Sequence, residues 1–125
     1  MTKEIILSKG DFILLSSFIK NHSAAFSNYS LKKLAVELET AKVVETEKLP
    51  NDAVRLNSEV NIIETGEKKG MKVKLVMPSE ANVKENRISI FAPLSAAIIG
   101  YRKGDTIEWE VPSGIKKFKI IDVKN

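Results

Sequence analysis

The sequence contains no cysteine among its 125 residues, and this absence excludes several kinds of chemistry at once. Without a thiol the chain has no disulfide, no thiolate metal site and no cysteine nucleophile. Histidine is almost as scarce, because His22 is the only one. A lone imidazole in an expected loop is typical of a solvated or capping residue, and no phosphate-binding glycine loop is present. We therefore predict no catalytic residue, no metal site and no cofactor.

Long apolar runs are also missing. No stretch approaches the roughly 20 apolar residues that a membrane-spanning helix requires. The amino terminus, residues 1–7, lacks the basic start and the apolar core of a secretory signal peptide. We expect no membrane partner and a cytoplasmic location.

The charge is only mildly unbalanced. The net charge is +4 and the pI is near 9.3, but Asp and Glu are interspersed among scattered lysines. No basic stripe interleaved with aromatic residues is present, so we expect no sequence-specific nucleic-acid binding. The acidic residues of the second predicted helix and the segment after it are expected on a solvated face: Glu37, Glu39, Glu45 and Glu47. The oligomeric state does not follow from the sequence.

The first 48 residues predict two amphipathic helices. Ser8 caps the first helix, which ends near Asn21, and Ser30 caps the second, with Val44 extending its packing. Apolar residues recur at three- and four-residue spacing in both helices: Phe12, Leu15, Phe18 and Ile19, then Leu31, Leu34, Leu38 and Ala41. Two such helices with a short connection predict an antiparallel hairpin that packs as a short coiled coil.

Residues 49–125 have the alternation of a sheet. The segments that alternate are 58–63, 71–76, 87–90, 106–111 and 115–123. Pro93 ends the third segment and begins a short helix that Gly100 ends. We predict an α+β fold in which an antiparallel sheet packs on this one short helix.

The order of turns and small residues in segment 86–114 resembles the carboxy-terminal domain of the Gre family of bacterial RNA polymerase factors. In that family a strand ends in Ser-Pro-Leu or Ala-Pro-Leu, a short Ala-rich helix ends at Gly, and Gly-Asp and Pro-x-Gly follow. The matching positions here are Ala92-Pro93-Leu94, Gly100, Gly104-Asp105 and Pro112-Ser113-Gly114. The Ala-Pro-Leu form and Trp109 resemble the Rnk branch, the regulator of nucleoside diphosphate kinase. The resemblance implies an FKBP-like domain at residues 49–125 behind a helical hairpin at residues 1–48.

The resemblance also implies a function. Gre-type factors bind RNA polymerase at the rim of its secondary channel, and in cleavage-stimulating members acidic residues at the hairpin tip help to hold a catalytic metal ion. Here the loop at residues 21–30 contains neither Asp nor Glu. Each predicted helix has about 12 to 16 residues and is only about 18 to 24 Å long. We therefore expect a transcription regulator, not an enzyme, that competes with longer Gre-type factors without stimulating transcript cleavage.

The partner-binding residues are carried over by position from the family. Gre-type factors dock through the loop and short helix that follow the proline, which here comprise Ala92, Pro93, Leu94, Ser95, Ala97 and Ile98. The alternative is that Leu94, Ala97 and Ile98 only fill the core beneath the sheet. Phe26 and Tyr29, two large side chains in a small polar loop, predict a second contact at the hairpin tip, unless they pack back onto the helices.

The FKBP-like fold raises a rival function, a peptidyl-prolyl isomerase or peptide-binding module. Such a site needs a pocket lined by several aromatic side chains, which the fold alone does not supply. The available rings are Phe91, Tyr101, Trp109 and Phe118. Because Trp109 and Phe118 fall on the inward faces of predicted strands, a core role is favoured. A third possibility is an oligomerisation or nucleic-acid accessory domain, which the salt dependence of RNA binding would reveal.

Overall fold

The computed structural model describes residues 4–22 and 28–125. Its elements in chain order are β1 (Ile6–Ser8), α1 (Lys9–Asn21), α2 (Tyr29–Glu39), β2 (Lys42–Val44), β3 (Glu59–Glu64), β4 (Met71–Val76), β5 (Arg87–Ser89), α3 (Pro93–Ile98), β6 (Thr106–Val111) and β7 (Gly114–Lys124). Single 3-10 turns lie at Thr46–Lys48, Pro78–Glu80 and Val83–Glu85. The predicted tip residue Phe26 lies outside the described residues.

The larger sheet has the strand order β5-β4-β3-β7-β6. Its pairs are antiparallel except β4 and β5, which run parallel. The α+β class is therefore confirmed, whereas the expectation of a purely antiparallel sheet is wrong at β5. The reason is that residues 77–86 form a connection with two 3-10 turns instead of a tight hairpin, so β5 enters the sheet in the same direction as β4.

The short helix α3 lies in the middle of the core. Ala96, Ala97, Ile98 and Ile99 are completely buried, as are Ile62, Leu75 and Ile120 on the sheet. Small alanine side chains let the helix pack closely. The hydroxyl of Ser95 donates a hydrogen bond of 2.6 Å to the carbonyl oxygen of Ser89, which ties the helix to the strand before it.

The two amino-terminal helices join the same core. Leu15 of α1 and Leu34 of α2 are each 1% exposed, and α2 packs on α3 and contacts β6. The side chain of Ser8 caps α1 as predicted, accepting from the amide of Asp11 at 3.1 Å. The predicted cap of the second helix is wrong by two residues. Asn28 caps α2, with its side-chain oxygen 3.0 Å from the amide of Ser30, and Ser30 itself lies buried inside the helix.

The segment expected to extend the second helix is a strand instead. Helix α2 ends at Glu39, and β2 pairs in parallel with β1. The neighbouring valines, Val43 and Val44, are β-branched and favour an extended backbone. On its other side β1 is held by a hydrogen bond of 3.1 Å from the amide of Ile6 to the carbonyl of Gly100. The expectation that Val44 continues the helical packing is therefore wrong, and the amino-terminal strand connects the helices to the loop after α3.

Candidate functional site

An open, mostly apolar groove of about 430 Å³ lies at the beginning of α3. The residues that line it are Asn28, Met71, Val73, Val83, Asn86, Ile88, Ala92, Pro93, Leu94, Trp109 and Glu110. They come from the amino-terminal end of α2, from three strands, from the turn before β5 and from α3. Concave apolar surfaces with a few polar groups are the usual form of binding sites.

The loop before α3 presents its residues at this groove for local reasons. The amide of Phe91 donates to the Ser89 hydroxyl at 3.1 Å, and the amide of Ala92 donates to the Ser89 carbonyl at 2.9 Å, so the chain turns sharply. Pro93 occupies the first turn of α3, where a missing N–H costs nothing. Pro93 is exposed and Ala92 is half-buried, so both are accessible at the mouth of the groove.

The other predicted contact residues are buried. Ser95, Ala97 and Ile98 have no exposed surface, and Leu94 is 7% exposed, with only its edge at the groove. Ser95, Ala97 and Ile98 therefore offer a partner no accessible side-chain surface in this conformation. The alternative of a core role describes them better, because α3 is sandwiched between the sheet and α2 and has no free face for these side chains.

Several residues of the groove were not predicted from the sequence. Val83 is 84% exposed and Met71 is 38% exposed. The half-buried Trp109 contacts the ring of Phe118 at a centroid distance of 5.4 Å. A sequence signal existed only for Val83, which is the one large apolar residue in a polar connection. Met71 and Trp109 lie on strands whose alternation predicts a core role.

The end of the helical hairpin lies beside this groove. The ring of Phe18 on α1 stacks on Phe91, with centroids 4.2 Å apart, and on His22 at 4.3 Å. The hydroxyl of Tyr29 donates a long hydrogen bond of 3.4 Å to Glu108 on β6. Burial and the neighbouring Glu108 carboxylate raise the pKa of Tyr29. Asn28, at the start of α2, therefore lines the groove, and the neighbouring Tyr29 is tied to β6 and is not a free-standing tip residue.

A buried polar network holds α2 against the domain beneath that surface. The Tyr101 hydroxyl donates to Glu37 Oε2 and accepts from Lys33 Nζ at 2.8 Å, and Lys33 Nζ lies 3.7 Å from the same carboxylate. Glu37 is completely buried, so its expected position on a solvated face is wrong. Burial raises the pKa of Glu37, although Tyr101 and Lys33 oppose this shift, and burial with the Glu37 contact raises the pKa of Tyr101.

The aromatic residues do not assemble into an isomerase-type pocket. Tyr101 belongs to the buried network, Phe118 lies in the core and Phe91 stacks on Phe18, so Trp109 is the aromatic residue that lines the groove. Within residues 4–22 and 28–125, no three His, Cys, Asp or Glu side chains come close enough to hold a metal ion. Along the same stretches, none of the helices has both the length and the apolar character needed to cross a bilayer.

Comparison with known proteins points to one family. Residues 49–125 match the family model described as transcription elongation factor, GreA/GreB, C-term. The chain is 31% identical over 99 residues to the transcription elongation factor GreA of Syntrophus aciditrophicus, which covers 79% of this chain and 62% of that protein. It is 37% identical over 84 residues to GreA of Brucella canis, covering 67% of this chain and 54% of that protein. The chain thus spans little more than half the length of these relatives.

Two solved structures share the architecture. A prokaryotic transcription elongation factor GreA/GreB from Nitrosomonas europaea has a TM-score of 0.78 and 29% identity, covering 98% of this chain and 99% of that chain. Gfh1 of Thermus aquaticus has a TM-score of 0.57 and 21% identity over 98% of this chain and 99% of its own, and it shows the fold alone. The first similarity extends over both the helices and the sheet.

Proposed function

Because the chain belongs to the GreA/GreB family of transcription elongation factors, we propose that it regulates transcription by binding RNA polymerase at the rim of the secondary channel. There it competes with longer Gre-type factors by occupancy, without catalysing a reaction. The observation that carries this proposal is the apolar groove at Ala92, Pro93 and Leu94, the positions that correspond to the docking loop of the family.

The composition and the length of the hairpin support binding without transcript cleavage. Residues 21–30, which include the connection between α1 and α2, contain neither Asp nor Glu that could help to hold a metal ion at the catalytic centre. The helices have 13 and 11 residues, which corresponds to about 20 Å and about 17 Å. Because Phe18 of α1 stacks on Phe91 and Tyr29 of α2 donates to Glu108, the described parts of both helices lie against the domain.

The branch of the family, the two domains and the cellular location belong to the same proposal. Ala92-Pro93-Leu94 and Trp109 support the Rnk branch, and a sheet wrapped over α3 is compatible with an FKBP-like domain at residues 49–125. In this proposal α1 and α2 form the short coiled coil at residues 1–48, although both parts share one hydrophobic core. A cytoplasmic location follows if the partner is RNA polymerase.

The proposal is tested by measuring the binding of the labelled chain to core RNA polymerase. Val83→Lys places a charge in the groove at a side chain that is 84% exposed, so stability should change by less than about 0.5 kcal/mol. We expect affinity for polymerase to fall by about tenfold or more, as for the loss of a central interface contact. The matched control is Val43→Lys, which changes an exposed valine of β2 outside the groove and should bind like the wild type.

A second experiment, on transcript cleavage, distinguishes a factor that only occupies the secondary channel from one that stimulates cleavage. The wild type should displace a longer Gre-type factor from polymerase and should reduce the transcript cleavage that this factor stimulates. It should stimulate no cleavage of its own. Failure of the wild type to bind polymerase, or clear cleavage by the purified chain, would refute the proposal, while equal binding of both lysine variants would place the docking surface outside the groove.

A further inference from the structure

The lining of the groove includes one acidic residue that has no ion-pair partner in the part of the chain that the structure describes. Glu110 is the charged residue among those that line the groove, and it is exposed. Among the described residues Glu110 takes part in no ion pair, whereas Glu59 and Glu64 on β3 pair with Lys72 and Lys116 at 3.9 Å and 3.2 Å. An exposed carboxylate without a partner is available to a cation from another molecule.

The strand register explains why Glu110 has no ion-pair partner within residues 4–22 and 28–125. Glu110 lies opposite Ile115 on β7, so its cross-strand neighbour is apolar. Glu108, two residues earlier on the same face of β6, lies opposite Lys117 and accepts from the Tyr29 hydroxyl at 3.4 Å. Glu110 is therefore the unpaired acidic residue of the groove lining, to which Val83, Met71 and Trp109 contribute apolar surface.

We infer that the groove binds a protein segment that combines an apolar anchor with a neighbouring lysine or arginine. The anchor occupies the space between Met71, Val83 and Trp109, where it removes exposed apolar surface from water. The cation then lies over Glu110, where a rim charge sets the orientation and the specificity of binding. This inference rests on the proposed function, since the segment is the part of polymerase that docks.

The test uses Trp109, the single tryptophan of the chain, as a reporter inside the groove. Two Ala-based helical peptides without tryptophan, each about 15 residues long, carry leucine anchors flanked by arginine in one and by glutamate in the other. Titration at low salt should change Trp109 emission with about threefold to fivefold tighter binding of the arginine peptide, the upper range for one exposed ion pair. The difference should largely disappear in about 0.5 M salt.

Substitution at Glu110 identifies the source of the preference. Glu110→Gln should make the two peptides bind alike, and Glu110→Lys should reverse the order. Glu67→Gln, at an exposed position in the turn between β3 and β4, is the matched control and should keep the wild-type preference. A proline-rich peptide without charge tests the rival occupant and should bind more weakly than the arginine peptide.

These experiments test the inference about the groove and the proposed function separately. Equal affinity of the arginine and glutamate peptides, tighter binding of the proline-rich peptide, absence of any emission change, or an unchanged preference in Glu110→Lys would overturn the inference. The same Glu110 variants are measured against core polymerase, where Glu110→Lys should weaken binding. If the peptide preference is present but the wild type does not bind polymerase, the proposed function fails and the inference about the groove stands.

Discussion

Removal of one hydroxyl, in Tyr101→Phe, should destabilise the protein in a way that depends on pH. The ring is 4% exposed and stays in place, so the change deletes little apart from two hydrogen bonds of the hydroxyl, the one donated to the buried Glu37 carboxylate and the one accepted from Lys33 Nζ. Of its partners among the described residues, Glu37 then retains Lys33, whose Nζ lies 3.7 Å away. Its other oxygen, Oε1, already has no hydrogen-bond partner among the described residues.

The size of the effect depends on whether the carboxyl group is ionised. A hydrogen bond to a charged group contributes about 1.5 to 3 kcal/mol, and one between neutral groups about 0.5 to 1.5 kcal/mol. We therefore expect Tyr101→Phe to lower the free energy of unfolding by about 2 to 3 kcal/mol where Glu37 is charged. Where Glu37 is protonated we expect a loss of about 1 kcal/mol.

The sign of the pH dependence follows from the raised pKa of Glu37. Its ordinary value is 4.5, and burial raises it in the native state, so the protonated group favours folding below that value. This contribution is lost as pH rises through the native pKa. The Tyr101 hydrogen bond lowers the native pKa of Glu37, so Tyr101→Phe raises that pKa further. The difference in the free energy of unfolding between Tyr101→Phe and the wild type should therefore grow as pH rises.

Urea unfolding followed by circular dichroism measures these free energies at about pH 4 and about pH 8. The matched control is Tyr29→Phe, at a half-buried residue whose hydroxyl is 3.4 Å from Glu108, and this substitution should cost less than about 0.5 kcal/mol at both pH values. In a Glu37→Gln background the pH dependence of the Tyr101→Phe effect should disappear. A cost below about 0.5 kcal/mol at about pH 8, or the same cost at both pH values, would refute this account of the network.

Two further substitutions probe how the helices are attached. Gly100 has a φ of +82°, and a Cβ there would lie 2.7 Å from the Cβ of Ile5, so Gly100→Ala should destabilise the protein by about 2 kcal/mol or more in thermal unfolding. The control Gly10→Ala, at a position with open space around it, should be neutral or stabilising. Equal effects of the two substitutions would contradict the packing of β1. Phe18→Ala removes the stack on Phe91 and should cost about 1 to 2 kcal/mol and increase hydrogen exchange in α1; unchanged exchange would show that the stack does not hold the hairpin end.

Local patterns predict those elements whose determinants are close in the chain. The segments 71–76 and 106–111 are strands with the predicted bounds, because alternation and flanking turn residues suffice to define them. Ser8 caps α1 since the cap depends on an amide three residues away. The candidate loop Ala92-Pro93-Leu94 was also recognisable, because its proline and small residues are a local signature.

The errors arose where distant residues decide the outcome. Periodicity places Glu37 on the solvated face of a free hairpin, but α2 packs on the domain and turns Glu37 towards Tyr101. Segment 42–44 becomes a strand because β1 lies beside it. The same packing buries Ser95, Ala97 and Ile98 and leaves Val83 exposed at the groove.

The amino-acid sequence is enough to predict the α+β composition, the bounds of β4 and β6 and the family, because these depend on spacing along the chain. The packing of distant segments is needed to place α1 and α2 beside the groove, to run β5 parallel to β4 and to set Glu110 opposite Ile115. Those features depend on which surfaces pack together, and alternation or helical periodicity marks a face as apolar without identifying the surface that covers it.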